Sequence, residues 1–168
     1  MMRTSAILWT PSLLFILLLH MTGCSQVENF DEMVLDITSQ SIPFSYAKDL
    51  QAKAVVFLDA RETAEYEVSH IKGAKHIGYD DFSKLNLEGI SKTAELVVYC
   101  SVGYRSEKIA EKLQDLGYTN VSNLYGGIFA WKNEGYDVIN ALGPTNKVHA
   151  YNEDWGKWLV SGEKVFTK

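Results

Sequence analysis

Two short apolar runs constrain the fold of this chain more than any other feature. They are Ala54-Val55-Val56-Phe57-Leu58 and Leu96-Val97-Val98-Tyr99, both of strand length and rich in β-branched residues. Each ends abruptly in polar residues, Asp59-Ala60-Arg61 after the first and Cys100-Ser101 after the second. A run with no polar face has to be buried on both sides, which is the situation of strands in a parallel sheet covered by helices. The helices are written between and around the runs. Phe30–Ile37 has apolar positions at helical spacing with acidic residues in its first turn, and Thr63–Val68 is amphipathic. Ser106–Leu116 places Ile109, Ala110, Leu113 and Leu116 on one face and stops at Gly117, and Ile128–Asn133 is closed by Gly135. Shorter strands are expected near Lys75-His76-Ile77 and at Val121–Leu124, with a turn at Gly126-Gly127 and a polar segment from Tyr79 to Thr93. The reading is an α/β domain over residues 30–140 with a mainly parallel central sheet flanked by helices. Beyond Gly143-Pro144 the alternation stops, and residues 141–168 are expected to pack across the domain as a tail through Tyr151, Trp155 and Trp158.

Charge and cysteine content remove several function classes. Sixteen Lys and Arg against 21 Asp and Glu give a formal charge of −5, and no basic run or basic helical face is present. Nucleic acid is therefore not an expected partner. Two cysteines with no Cys/His cluster at ligand spacing imply neither a disulfide framework nor a metal site, and nothing in the chain implies a cofactor.

The N-terminal region reads as an export signal. Arg3 precedes an apolar stretch that includes Leu13–Leu19, and Pro11 interrupts it. The uninterrupted run is far shorter than the roughly 20 residues a membrane-spanning helix needs. It ends in Met21-Thr22-Gly23-Cys24, which resembles the lipobox of bacterial lipoproteins with Met21 in place of the usual aliphatic residue. That resemblance implies cleavage after residue 23, acylation of Cys24, a short tether over 24–29, and a protein held on a membrane by lipid and facing the periplasm. An ordinary secretory signal and an uncleaved anchor are the alternatives. With Cys24 acylated, Cys100 is left as the free thiol in a compartment that oxidises thiols.

The segment Tyr99-Cys100-Ser101-Val102-Gly103-Tyr104-Arg105-Ser106 runs from a strand through a glycine-containing loop into a helix. A thiolate is the nucleophilic form of cysteine, and backbone N–H groups converging at a helix N-terminus stabilise its charge. Gly103 allows the loop to curl. Arg105 is read as a fixed positive charge or as a donor to loop carbonyls, and Ser106 as the cap of the following helix. A buried inert cysteine is the plain alternative.

At this point the chain resembles the rhodanese (sulfurtransferase) family over about Phe30 to Val138. The matching pieces are Leu58-Asp59-Ala60-Arg61 with Glu65-Tyr66, then His70 to Ile77, then Tyr99-Cys100 through Arg105-Ser106, and finally Leu113 to Trp131. The resemblance implies a rhodanese-like domain that carries sulfane sulfur as a persulfide on Cys100, within a cradle formed by Ser101, Val102, Gly103, Tyr104, Arg105 and Ser106. It also implies a small sulfur-containing donor, thiosulfate or a persulfide, and a thiol or cyanide acceptor. It names no protein partner. Thiolate phosphatases carry one more residue between cysteine and arginine than the four here, Ser101 to Tyr104, which favours a single sulfur atom over a tetrahedral oxyanion. Phosphatase or arsenate-reductase chemistry and a non-catalytic binding module remain as alternatives. Family members that work well on thiosulfate often carry basic residues inside the loop, and Arg105 is the only charge in this one. Asp59, Arg61 and Glu65 are read as ties between loop and helix, and His70 and His76 as turn and strand residues bonded to nearby backbone. Tyr104, Tyr125 and Trp131 are candidate pocket walls.

Overall fold

The computed structural model describes residues 29–51 and 53–166. The first helix, α1 (Phe30–Ile37), begins at Asn29, whose side chain accepts the amide of Glu32 at 2.8 Å. There follow β1 (Phe44–Ser45), α2 (Ala47–Leu50), β2 (Val56–Asp59), α3 (Thr63–Val68), β3 (Lys75–His76), a 3-10 turn at Lys84–Leu87, β4 (Leu96–Tyr99) and α4 (Tyr104–Asp115). The last part of the chain holds β5 (Val121–Leu124), α5 (Gly127–Asn133), β6 (Val138–Asn140), β7 (Gly143–Thr145), β8 (Lys147–His149), α6 (Glu153–Gly156) and β9 (Glu163–Val165).

The central sheet has five strands in the order β1-β5-β4-β2-β3, all parallel. Every residue of β4, the middle strand, is buried, as a run apolar on both faces requires. Its alternating side chains feed two cores. Val97 and Tyr99 join Met33, Leu124, Ile128 and Phe129 on one face, and Leu96 and Val98 join Leu58, Ile109, Ala110 and Leu113 on the other. Burying an Ile or Leu side chain contributes about 1.5–3 kcal/mol, so the Ile109 and Leu113 face is a principal anchor of α4.

Strand order reverses between β2 and β4: β3 lies beside β2 on one side and β4 on the other. The segments leaving the carboxyl ends of β2 and β4 therefore face each other across a crevice, the usual place for a site in a parallel sheet.

The tail is more regular than its sequence indicates. β6 and β7 form an antiparallel pair, and β8 and β9 a parallel one bridged by α6. Val148, Ala150 and Leu159 are fully buried in the core that Val97 and Tyr99 of β4 feed, and Trp155 and Trp158 pack against it. The pairings join short polar segments that carry no strand-length apolar run, and that is why alternation of sequence pattern does not reveal them.

Candidate functional site

Cys100 stands at the carboxyl end of β4, 1% exposed, its thiol free. The chain then turns through Ser101 and Val102 to Gly103, whose φ of 115° lies in a region that side chains disfavour, and enters α4 at Tyr104. This geometry puts the sulfur at the N-terminus of a 12-residue helix. Gly103 N–H donates to Cys100 Sγ at 3.2 Å, and the Ser106 hydroxyl lies 3.5 Å from it. The Gly103 amide and the helix dipole favour negative charge on sulfur.

α4 starts two residues earlier than its apolar pattern indicates, so Ser106 is inside the first turn and does not cap it. Gly103 occupies the cap position, without a side-chain bond. The Ser106 hydroxyl is instead within reach of Asn123 Oδ1 (2.7 Å), Gly103 O (3.1 Å) and the sulfur, and its one proton serves one of them at a time. Asn123, fully buried on β5, also donates from Nδ2 to Gly103 O at 2.9 Å. It therefore holds the curl from the neighbouring strand. Nothing in the sequence around Asn123 marks this role, because the contact crosses from one strand to the loop of the next.

Arg105 corrects a second expectation. Its guanidinium donates not to loop carbonyls but to the Glu65 carboxylate, at 2.6 and 2.7 Å, and to Ser101 Oγ at 3.1 Å. Ser101 Oγ in turn donates to Glu65 at 3.0 Å. Glu65 is thus the anchor of the loop, reaching from α3. Burial alone would raise the Glu65 pKa, but hydrogen bonds and charge from Arg105 outweigh it and hold the carboxyl below its usual value of 4.5. Burial would lower the Arg105 pKa, and the Glu65 bonds, with attraction to Cys100, raise it instead.

The loop is held from below by α5. The amides of Ile128 and Phe129 donate to the carbonyls of Cys100 and Ser101 at 2.9 and 3.1 Å. A Cβ on Gly127 would collide with those same carbonyl oxygens, so glycine is required for the close approach. The Gly126-Gly127 turn does bring its helix against the sheet.

Cys100 opens onto a cavity of about 560 Å³. Ser101, Val102, Tyr104 and Arg105 line it from the loop, Glu62, Tyr79 and Asp80 from the segments after β2 and β3, and Ile37 from the end of α1. Tyr151 and Trp155 of the tail complete it. Tyr125 and Trp131 do not line it. Tyr125 hydroxyl donates to Asp31, and Trp131 is buried with its indole N–H on Asp137 O, which makes both packing residues. His70 and His76 bond to the backbone oxygens of Tyr66 and Arg61, at 3.0 and 2.7 Å. Cys24 lies outside the described residues.

A family model described as a rhodanese-like domain matches residues 44–134, more than half of the 168. The chain belongs to the rhodanese-like family. A solved rhodanese-like domain from Anabaena sp. is similar at TM-score 0.55 and 26% identity, covering 60% of this chain and 80% of that one. A thiosulfate sulfurtransferase from Pseudomonas aeruginosa shares the fold, with TM-score 0.55 and 22% identity over 77% of this chain and 26% of its own. A tRNA uridine(34) hydroxylase from Listeria monocytogenes is 32% identical over 108 residues, covering 60% of this chain and 34% of the relative. The chain spans about a quarter to a third of the length of the hydroxylases it matches. The rhodanese-like match ends before β6, so Tyr151 and Trp155 reach the pocket from outside the matched segment.

Proposed function

We propose that this rhodanese-like protein is a sulfurtransferase that moves sulfane sulfur from a thiosulfate or persulfide donor to a thiol or cyanide through a persulfide on Cys100. One observation carries the reading: the Cys100 sulfur lines a pocket at the N-terminus of α4, with the Gly103 amide donating to it and the Ser106 hydroxyl 3.5 Å away. In the first half-reaction the Cys100 thiolate attacks the donor's outer sulfur, the Sγ–S bond forms, and the donor's S–S bond breaks with its electron pair leaving on the donor remnant. In the second, cyanide or a thiolate attacks the outer sulfur and Cys100 departs as thiolate. The Gly103 amide and the N-terminus of α4 face the sulfur in both half-reactions, where it carries or develops negative charge.

Mass spectrometry of the protein after exposure to sulfur donors tests this directly. A gain of one sulfur on Cys100 that a reductant removes is expected, with ping-pong kinetics, and Cys100→Ser should abolish both. A Cys100→Ser protein that keeps full transfer activity would break the reading. The hydroxylase relatives favour no second reading, because the match covers only part of each.

The N-terminal sequence supports a second element of the proposal, export followed by acylation at Cys24 and attachment to a membrane facing the periplasm. Cys24→Ala should release the protein from the membrane fraction. If that variant stays membrane-bound after a high-salt wash and is still processed, lipid anchoring at Cys24 is wrong.

A further inference from the structure

The walls of the Cys100 pocket bear on which sulfur compound it takes. Its volume, about 560 Å³, is that of a site for a small organic molecule, typically roughly 300–1,000 Å³, and far exceeds the needs of an inorganic anion of five heavy atoms. Ile37, Tyr151 and Trp155 form an apolar wall beside the loop.

Charge points the same way. Arg105, the cation among the described lining residues, has both terminal nitrogens on the Glu65 carboxylate and Glu62 3.9 Å from its Nη1. Glu62 and Asp80 also line the cavity. An entering dianion meets a guanidinium already neutralised and two further carboxylates.

The tail has a built-in cost at this place. Tyr151 adopts φ 63°, a left-handed conformation that a bulky side chain takes only when its surroundings impose it. Its amide is held by His149 Nδ1 at 3.1 Å, and its ring lies over the Arg105 guanidinium at 5.2 Å from the centroid. Trp155 is set by Asn152, whose side chain accepts its amide at 3.0 Å. Buried Ala150 and Leu159 fix both ends of the segment in the core. These contacts place the two aromatic side chains beside the sulfur loop.

We propose that the pocket selects an organic hydropersulfide, R–S–SH, a donor that carries at most one negative charge, whose apolar R group packs against Ile37, Tyr151 and Trp155 while its outer sulfur meets Cys100. This rests on the sulfur-transfer reading above and names its donor class. The Cys100 thiolate attacks the outer sulfur, the Sγ–S bond forms and the R–S to S bond breaks. The leaving RS⁻ takes the proton from the transferred sulfur, giving Cys100–S–S⁻ and RSH with no external oxidant.

The experiment compares benzyl hydropersulfide with thiosulfate as donors to the purified protein, reading kcat/KM for persulfide formation on Cys100 by mass spectrometry. Benzyl hydropersulfide is expected to exceed thiosulfate by at least tenfold. In Tyr151→Ala and Trp155→Ala, each confirmed folded by circular dichroism, the ratio of the two kcat/KM values should fall at least fivefold, and Trp155→Phe should keep most of it. Thiosulfate loading as fast as benzyl hydropersulfide, or a ratio unchanged in both alanine variants, overturns the donor assignment while leaving sulfur transfer intact. Loading from neither donor overturns the sulfur-transfer reading as well.

Discussion

Two arginine–carboxylate pairs stand at the carboxyl end of the sheet, and they do different things with the same chemistry. Arg61 and Asp59 are two residues apart, wholly buried, and bonded at 2.6 Å, with Arg61 also donating to Ser69 O at 2.7 Å. The guanidinium lies over the Tyr99 ring at 5.6 Å, and its Nη1 is a buried nitrogen with no hydrogen-bond acceptor. Arg105 and Glu65 are 40 residues apart, and the arginine side chain keeps 15% of its surface exposed to the pocket. The first pair closes the turn after β2 against the end of α3. The second ties α3 to the Cys100 loop, so its loss is felt at the site proposed for sulfur transfer. Burial and sequence separation, rather than the residue types, separate a structural pair from one that positions a reactive loop.

The largest expected effect lies at the closed pair. Arg61→Met leaves Asp59 as an uncompensated buried charge and is expected to cost about 3–5 kcal/mol of stability, read by urea unfolding. Asp59→Leu combined with Arg61→Met should recover much of that loss, since no orphaned charge remains. If Arg61→Met costs less than removal of the Glu65 partner, the ranking of the two pairs is wrong.

At the open pair, Glu65→Gln is expected to lower stability at neutral pH by about 1.5–3 kcal/mol, the worth of hydrogen bonds to a charged group. Its pH dependence has a definite sign. The Glu65 carboxyl titrates lower in the folded protein than its usual 4.5, so the folded state binds fewer protons between the two values. The stabilisation is full above about pH 4.5 and disappears as pH falls through the lowered folded value. The gap between wild type and Glu65→Gln should therefore close in acid; a constant gap down to pH 2 would show that the carboxylate's charge is not what Arg105 uses.

Arg105→Ala should slow persulfide formation by about tenfold, from loss of roughly 1.4 kcal/mol. Because it orphans Glu65 close to the sulfur loop, adding Glu65→Gln should restore part of the rate, and Arg105→Lys should rescue only partly for want of the planar fork. Additive losses in the double variant would mean that Arg105 acts on sulfur or donor directly instead of through Glu65. The smallest effect concerns the residue stacked on Arg105. Tyr151→Gly is expected to be about 1 kcal/mol more stable than Tyr151→Ala, since glycine relieves the left-handed backbone. Equal melting temperatures would remove the strain from the account.

Much of this organisation is legible in the chain itself. Helices α1 and α3 have the bounds that their apolar spacing indicates, Phe30–Ile37 and Thr63–Val68, because their faces bury locally readable stripes. The strand β4 and the cysteine that follows it are legible from an apolar run and its abrupt polar end. The start of α4 is not, because Tyr104 and Arg105 are set by the loop's hydrogen bonds rather than by an apolar period.

What the sequence determined by itself is therefore the class of fold, a parallel sheet covered by helices, and the place of Cys100 at the carboxyl end of its middle strand, since both depend on patterns within a few residues of each other. Tertiary structure alone decided what surrounds that residue. Glu65 as the partner of Arg105, Asn123 behind the loop, and Tyr151 and Trp155 over the pocket are contributions from segments 17 to 55 residues away from the loop positions they serve. Such contacts are fixed by how the elements pack and by which backbone groups remain to be paired, and no local period of the sequence records either.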